Sequence, residues 1–281
     1  NTSDEPLTDS LFTEHAEYVR RLSPKTDVIT VKLGGRCPSL PYYPFLDIVR
    51  ERFDGKSREE IGTLLERAAV YRCHRKLFED YFLNMPLSRE EELIPEEIGF
   101  EKLRFRTDLM SLLMTAAEGN LVLMMHGLEN ISRTSAEFVL GLHEFCETEK
   151  AQFIFAMNLS GILESDSAPS GLRDFADDVF SVYPVFDPGT KKTPWEEAPD
   201  ISPADPAGQS AAGLLSFLCL EEAAADAVMH ISAKDDDTAL TALMVTTLSQ
   251  LYQNEFDAAL VHANLFMDRS SRTGSALWKS R

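Results

Sequence analysis

The stretch LVLMM at residues 121–125 decides the fold of this chain. It is short, wholly apolar and bounded by Gly119 and Gly127, which predicts a β-strand that is covered on both faces. Two similar runs flank it along the chain, VITVKL at residues 28–33 and QFIFAM at residues 152–157. Strands of this type separated by helical stretches predict an α/β fold with a parallel sheet.

Helical patterns fill most of the remaining chain. They cover residues 10–22, 43–53, 57–83, 100–117 and 134–149 around the strands, and residues 211–231, 238–252 and 256–270 near the C-terminal end. A weaker apolar run, VFSVY at residues 179–183, is predicted to be a fourth strand. The pattern thus predicts a sheet with helices on its faces, followed by helices alone.

The composition changes abruptly at residues 188–209, which are rich in Pro, Gly, Thr, Lys, Asp and Ala. Such a stretch is typical of a flexible linker. It divides the chain into a predicted α/β domain at residues 1–187 and a predicted all-helical segment at residues 210–281.

The chain is acidic, with 46 acidic against 27 basic residues and a formal charge of −19. This charge repels phosphate backbones and anionic membrane surfaces, so we expect no direct binding to nucleic acid or to a membrane. No apolar run approaches the roughly 18 residues that a bilayer-spanning helix needs. These features predict a soluble, cytoplasmic protein.

The sequence offers no familiar catalytic or metal-binding motif. The four cysteines are far apart, form no CxxC pair and have no nearby histidine with the spacing of a known ligand motif. The histidines show no HxxxH or HExxH spacing, and no GxSxG or GxGxxG sequence occurs. On these grounds the sequence predicts no metal site and no catalytic residue.

The segment LYQNEFDAAL at residues 251–260 has the pattern of two helices joined by a short turn. Tyr252 precedes the turn, and small residues, Ala258 and Ala259, follow it and allow the second helix to pack closely. This pattern resembles a tetratricopeptide (TPR) repeat. The resemblance implies a surface for a protein partner and further repeats beyond Arg281. An ordinary helical hairpin is the alternative.

A second resemblance covers residues 3–187. GRC at residues 35–37, then PYYPF at residues 41–45 and a helix, are followed in order by a helix, a buried strand, a helix and another strand. This order is similar to that of STAND-type ATPases, the AAA-like switches that precede TPR arrays in bacterial signalling and transcriptional regulators. The resemblance implies a P-loop NTPase-like parallel sheet covered by helices.

The resemblance places residues 3–10 on the phosphate-binding loop, whose working form is GxxxxGK[ST]. Ser10 keeps the expected residue type, whereas Thr8 replaces a glycine and Asp9 replaces the lysine. Aspartate in place of lysine turns attraction for a polyphosphate into repulsion. The alternative is that this stretch only caps the following helix.

The same resemblance places His126 and Gly127 where the two Walker B acids belong. A neutral histidine cannot replace a carboxylate as an anchor for Mg²⁺, which prefers oxygen ligands. Glu129 is a nearby acid, two residues late, and Asn158 stands where the family has a polar sensor of the γ-phosphate. A strand-end asparagine also commonly caps the turn that follows it.

The resemblance therefore implies a degenerate ATPase. We expect a non-catalytic regulatory or scaffolding module in signal transduction, which binds a protein partner through its helical repeats, requires no cofactor and leaves oligomerisation open. One alternative is an active STAND-type switch that binds ATP and takes its missing groups from Glu129, upstream residues or another subunit. Another is a purely structural repeat protein.

Overall fold

A computed structural model describes residues 5–35, 40–87, 97–117, 120–146, 151–184, 196–197 and 210–273. It contains a small parallel sheet among many helices, which confirms the coarse α/β class. The chain divides into two compact units. The first comprises Asn1–Cys37, Tyr43–Arg52 and Met110–Ile201, and the second comprises Pro38–Tyr42, Phe53–Leu109 and Ser202–Arg281. The predicted domain boundary at residue 187 and all of the predicted linker except residues 196–197 lie outside the described residues.

The sheet of the first unit has the strand order β1-β2-β3, with β1 at Asp27–Lys32, β2 at Leu121–His126 and β3 at Ala151–Ala156. Both neighbouring pairs are parallel, so Lys32, His126 and Ala156 lie side by side at one edge. Residues 121–125 of the central strand are each at most 5% exposed. The continuous apolar run at these positions thus forms a strand buried on both faces, as the sequence predicts.

Helix α1 (Glu5–Leu22) covers one face of this sheet. Its residues Phe12 and Ala16 are one turn apart and pack with Val122 and Met124 of β2 in one buried cluster. Since side chains alternate along a strand, the neighbouring residues of β2 line the opposite face. Two further helices of the unit, α2 (Phe45–Phe53) and α6 (Arg133–Cys146), meet through the edge-to-face rings of Phe45 and Phe138.

The predicted fourth strand at residues 179–183 is wrong. After β3 the chain forms the short helix α7 (Leu159–Glu164) and then α8 (Ser170–Val182), which contains most of the run. Phe175, Ala176 and Val179 are buried at helical spacing, whereas Phe180 is 57% exposed. The run VFSVY is therefore the continuation of a helical stripe that begins upstream, and its local strand preference is overridden by packing.

The second unit contains α3 (Arg58–Arg67), α4 (Arg72–Phe82), the first part of α5 (Ile98–Ala116), α9 (Ala211–Ser216), α10 (Leu220–Val228), α11 (Asp236–Tyr252) and α12 (Phe256–Thr273). Aromatic rings form its core. The ring of Phe105 on α5 lies 5.0 Å from that of Phe78 and 5.6 Å from that of Phe217, and Tyr42 stacks on Phe105 at 5.0 Å.

Two of the predicted helices are each divided in two. The helix predicted at residues 57–83 is interrupted at Ala69, which has a φ of +53°, and the one predicted at residues 211–231 is interrupted at Leu218, with a φ of +60°. In each case the next N–H bonds back to a carbonyl five residues earlier, Val70 to Leu65 and Cys219 to Leu214. This closure is the Schellman motif, which glycine usually makes. Alanine and leucine at these positions do not indicate the end of a helix, so the sequence does not predict either interruption.

Helices α11 and α12 form a hairpin whose turn passes through Asn254, with a φ of +64°. Arg269 near the end of α12 donates hydrogen bonds to the Asp236 carboxylate and to the carbonyls of Ile231 and Ala233. The hairpin agrees with the predicted pair of helices, and its assignment to the TPR class stays a prediction. Among the described residues, no helix is both long enough and apolar enough to cross a lipid bilayer.

Candidate functional site

The carboxyl edge of the sheet carries most of the sequence-predicted site residues. Here the backbone ladder continues beyond the strands, because Leu33 donates its N–H to the carbonyl of His126 at 2.9 Å and Gly127 donates to the carbonyl of Ala156 at 3.0 Å. The three chain segments thus stay joined at the point where, in a nucleotide-binding α/β sheet, a ligand would bind.

Gly127 makes a close approach to the end of β1. Its φ is +80°, and a Cβ at this position would lie 2.5 Å from the carbonyl oxygen of Leu33. The amide of Asn130 donates to that same oxygen at 3.0 Å. Only glycine fits both the left-handed backbone and the contact. This provides a structural reason for glycine where the resemblance implies an acid.

Asn158 caps the helix that follows β3. Its side-chain oxygen accepts from the N–H of Gly161 at 3.2 Å, and its own N–H donates to the Glu129 carboxylate at 3.4 Å. Asparagine favours this position because a short side-chain oxygen can satisfy the first free N–H groups of a helix. Asn158 therefore does what a strand-end asparagine commonly does.

Glu129 lies against the end of β3, partly exposed, next to His126. Burial raises the pKa of its carboxyl above the ordinary range, and the hydrogen bond from Asn158 and the nearby His126 only partly oppose that effect. A carboxyl with a raised pKa is suited to proton transfer. Burial raises the pKa of a carboxyl with a purely structural role in the same way, so the shift alone does not assign a role to Glu129.

His126 and Asp9 meet at the same edge. The carboxylate of Asp9 lies 3.9 Å from Nδ1 of His126 and 3.6 Å from Nζ of Lys32. Asp9 is more than half exposed, so these pairs contribute little to stability. Within the described chain, Nδ1 of His126 has no hydrogen-bond partner.

Four of the six predicted positions are thus connected, from Asp9 through His126 and Glu129 to Asn158. Ser10 instead donates to Glu14 on the exposed side of α1. Thr8 lies in α1, and its side chain is outside the described residues. Because α1 begins at Glu5, residues 5–10 are helical and do not have the conformation of a phosphate-binding loop. A nucleotide role for these six positions stays a prediction.

A second polar cluster, in the helical unit, was missed by the sequence analysis. His74 on α4 is fully buried, with Nδ1 2.6 Å from Oδ2 of Asp108 and Nε2 3.1 Å from Oε2 of Glu101, both on α5. Cys73 is buried beside His74, and a ligand atom of each of Cys73, His74 and Glu101 lies within 4.8 Å of the others. No spacing rule signals it, because the two helices contribute residues that are distant in sequence.

Arg104 and Tyr71 support this cluster. Arg104 donates to Oε1 of Glu101 at 2.7 Å and lies 3.5 Å above the ring of Tyr71, whose N–H donates to both oxygens of Asp108. Burial raises the pKa of Glu101, but the hydrogen bonds and charges of Arg104 and His74 outweigh it, so the pKa lies below the usual range. Glu101 is therefore a carboxylate at neutral pH.

No protein-family model, curated protein or solved structure matches this chain.

Proposed function

We propose that this chain is a non-catalytic regulatory or scaffolding module that acts by protein-protein interaction, with a degenerate STAND-type sheet and a TPR-like helical segment. The observation that carries the proposal is the closure of the carboxyl edge. Gly127 packs against the Leu33 carbonyl at the position where a working ATPase of this type would hold an acid for Mg²⁺.

The neighbouring groups support the same conclusion. The carbonyl of Leu33 accepts from Asn130, and the side chain of Asn158 caps α7. Asp9 brings a negative charge to the edge, which opposes a polyphosphate. A nucleotide would have to break these contacts before binding.

The last helix supports interaction with a protein. On α12, five large apolar side chains are between 48% and 64% exposed: Phe256, Leu260, Val261, Leu265 and Met267. Exposed apolar side chains concentrated on one helix are typical of a binding surface. By the helical period, Phe256, Leu260 and Met267 share one side of α12, and Val261 and Leu265 share another. In a helical repeat, such apolar surfaces pack against a further helix or a bound segment.

The charge around this helix favours one class of partner. Six acidic and only two basic residues occur between residues 235 and 273. A partner segment with apolar side chains flanked by lysine or arginine complements both the apolar surface and the acidic surroundings.

Calorimetry with Mg-ATP and Mg-ADP tests the loss of nucleotide handling. We expect no saturable heat with the wild-type chain at millimolar nucleotide. Saturable binding that disappears in Asn158→Ala or Ser10→Ala, with unchanged circular dichroism, would instead favour the active ATP-dependent switch and overturn the proposal.

A library of cationic, amphipathic peptides tests the interaction surface. Selected peptides should bind the full chain more weakly as salt increases, and Leu260→Lys should reduce their affinity at least tenfold. Tyr18→Lys, at an exposed apolar position on α1, is the matched control and should not change it. Equal losses in the two variants would show that binding is only nonspecific attraction to an acidic protein.

A further inference from the structure

The cluster on α4 and α5 combines a thiol, an imidazole and a carboxylate around one point. We propose that Cys73, His74 and Glu101 bind a divalent transition metal ion of the zinc class. Sulfur, nitrogen and oxygen from these residue types are the ligands that zinc takes in proteins. Three protein ligands would leave a fourth position for water, as in open zinc sites.

The orientation of His74 favours Nε2 as the ligand atom. Its Nδ1 is held at 2.6 Å by Asp108, which is itself fixed by the N–H of Tyr71. A carboxylate on one ring nitrogen of a metal-binding histidine sets the tautomer and aims the other nitrogen at the metal. Here that other nitrogen points to Glu101, 3.1 Å away.

The ligand atoms lie close enough together to share one metal ion. With bonds of about 2.0–2.3 Å, tetrahedral zinc holds its ligand atoms roughly 3.3–3.8 Å apart. The atoms of Cys73, His74 and Glu101 lie within 4.8 Å of one another, so small side-chain rotations bring them into range. Arg104 donates to the other oxygen of Glu101 and so holds the carboxylate in place.

The charges around the cluster suit a divalent metal ion. Two carboxylates, those of Glu101 and Asp108, contact the ring of His74, and Arg104 pairs with Glu101. Cysteine and histidine bind a metal as thiolate and neutral imidazole, so protons compete for the ligands and metal binding is weaker at low pH.

A metal-free interpretation makes a different prediction. In that case His74 only bridges Glu101 and Asp108 to hold α4 against α5, and the position of Cys73 beside them has no chemical role. The cluster would then contribute to stability but would bind no metal.

Titration of the reduced, chelator-treated full chain with Co²⁺ and then Zn²⁺ tests the proposal. We expect one equivalent of Co²⁺ to give tetrahedral visible bands and a thiolate-to-cobalt charge-transfer band, and Zn²⁺ to displace it. Calorimetry in buffers of different ionisation enthalpy should show that metal binding releases protons. Absence of saturable binding at micromolar metal would overturn the proposal.

Single-residue variants identify the ligands. Cys73→Ala should abolish the charge-transfer band, and Glu101→Gln should weaken binding at least tenfold while the band persists. Cys219→Ala, at another buried cysteine of the same unit, is the matched control and should leave both unchanged. A band that survives Cys73→Ala, or is lost in Cys219→Ala, contradicts the assignment. Glu101 is partly exposed, so the Glu101→Gln variant tests the ligand assignment if Cys73→Ala does not fold. Unchanged metal affinity in Glu101→Gln would then contradict the assignment.

Asp108 is a positioning residue in this scheme. Asp108→Asn should lower metal affinity about 10- to 100-fold while keeping the spectrum of bound cobalt. A purely structural Asp108 would instead change the unfolding midpoint and leave the affinity of the folded protein unaltered.

Discussion

The carbonyl oxygen of Leu33 lies 2.5 Å from where a Cβ on Gly127 would stand, so the ends of β1 and β2 meet with no room for a side chain. The same oxygen accepts a hydrogen bond from Asn130. This contact joins residues that are far apart in sequence at the edge of the sheet where a P-loop enzyme carries its catalytic acids. It therefore links the stability of the sheet to the absence of a side chain at position 127.

Gly127→Ala should destabilise the protein by about 3 kcal/mol. A left-handed φ costs an alanine about 1–2 kcal/mol, and forcing a methyl group into an occupied space costs about 1–3 kcal/mol. Urea unfolding followed by circular dichroism measures the loss. Gly55→Ala is the control for backbone strain alone, since Gly55 has a φ of +71° with nothing within 4 Å. Equal losses in the two variants would mean that the Leu33 contact is not tight.

Ala69→Gly should stabilise the protein by about 1 kcal/mol. Ala69 is exposed and follows the C-cap of α3 with a φ of +53°, a conformation in which glycine is not strained. Thermal unfolding should show a raised midpoint. Ala225→Gly, at an exposed position inside α10, should lower it by a similar amount because glycine weakens a helix interior. A lowered midpoint in Ala69→Gly would contradict the positive φ.

Glu129→Gln should be more stable than the wild type at neutral pH. Burial raises the pKa of Glu129, so ionising this carboxyl costs the folded state more than the unfolded state. The wild type therefore loses free energy of unfolding, relative to the variant, as the pH rises from the ordinary glutamate pKa through the folded-state pKa of Glu129. The advantage of the variant should therefore vanish below about pH 4.3, the ordinary glutamate value.

Urea unfolding across this pH range measures the difference between the two proteins. Glu17→Gln, at an exposed position on α1, gives the background effect of removing one negative charge. If Glu129→Gln follows that background at every pH, the surroundings of Glu129 do not oppose its charge.

His74→Gln should destabilise the protein by about 3 kcal/mol when a chelator is present. The substitution leaves the carboxylates of Asp108 and Glu101 without the buried ring between them, and breaking a buried charge network has a cost of this order. Urea unfolding measures the change. The exposed His230→Gln should have almost no effect, and a similarly small effect in His74→Gln would show that the network does not hold the helices together.

Elements with a strong local pattern were predicted well. All three strands of the sheet lie within one residue of their predicted positions, because a continuous apolar run bounded by turn residues is compatible with few other structures. The helix after β2 was also predicted, from apolar residues repeating at helical spacing. Asn158 caps α7, because its short side-chain oxygen accepts a hydrogen bond from a free N–H at the start of that helix.

Other features have no local signal. The interruption between α9 and α10 depends on the buried Leu218 adopting a positive φ. Packing imposes this conformation, whereas the backbone preference of leucine opposes it. Residues 179–182 of the predicted fourth strand are helical because Phe175 and Val179 share one buried face. Strand preference in so short a run is weaker than that tertiary contact.

The sequence by itself determined the acidic character of the chain, the three strands and most of the helices. These depend on composition, period and residue type, which are local. Only the tertiary structure decided that Gly127 packs on Leu33 and that Cys73, His74 and Glu101 surround one point. Such contacts form between segments tens of residues apart once apolar burial has brought the helices and strands together, so no spacing along the chain encodes them.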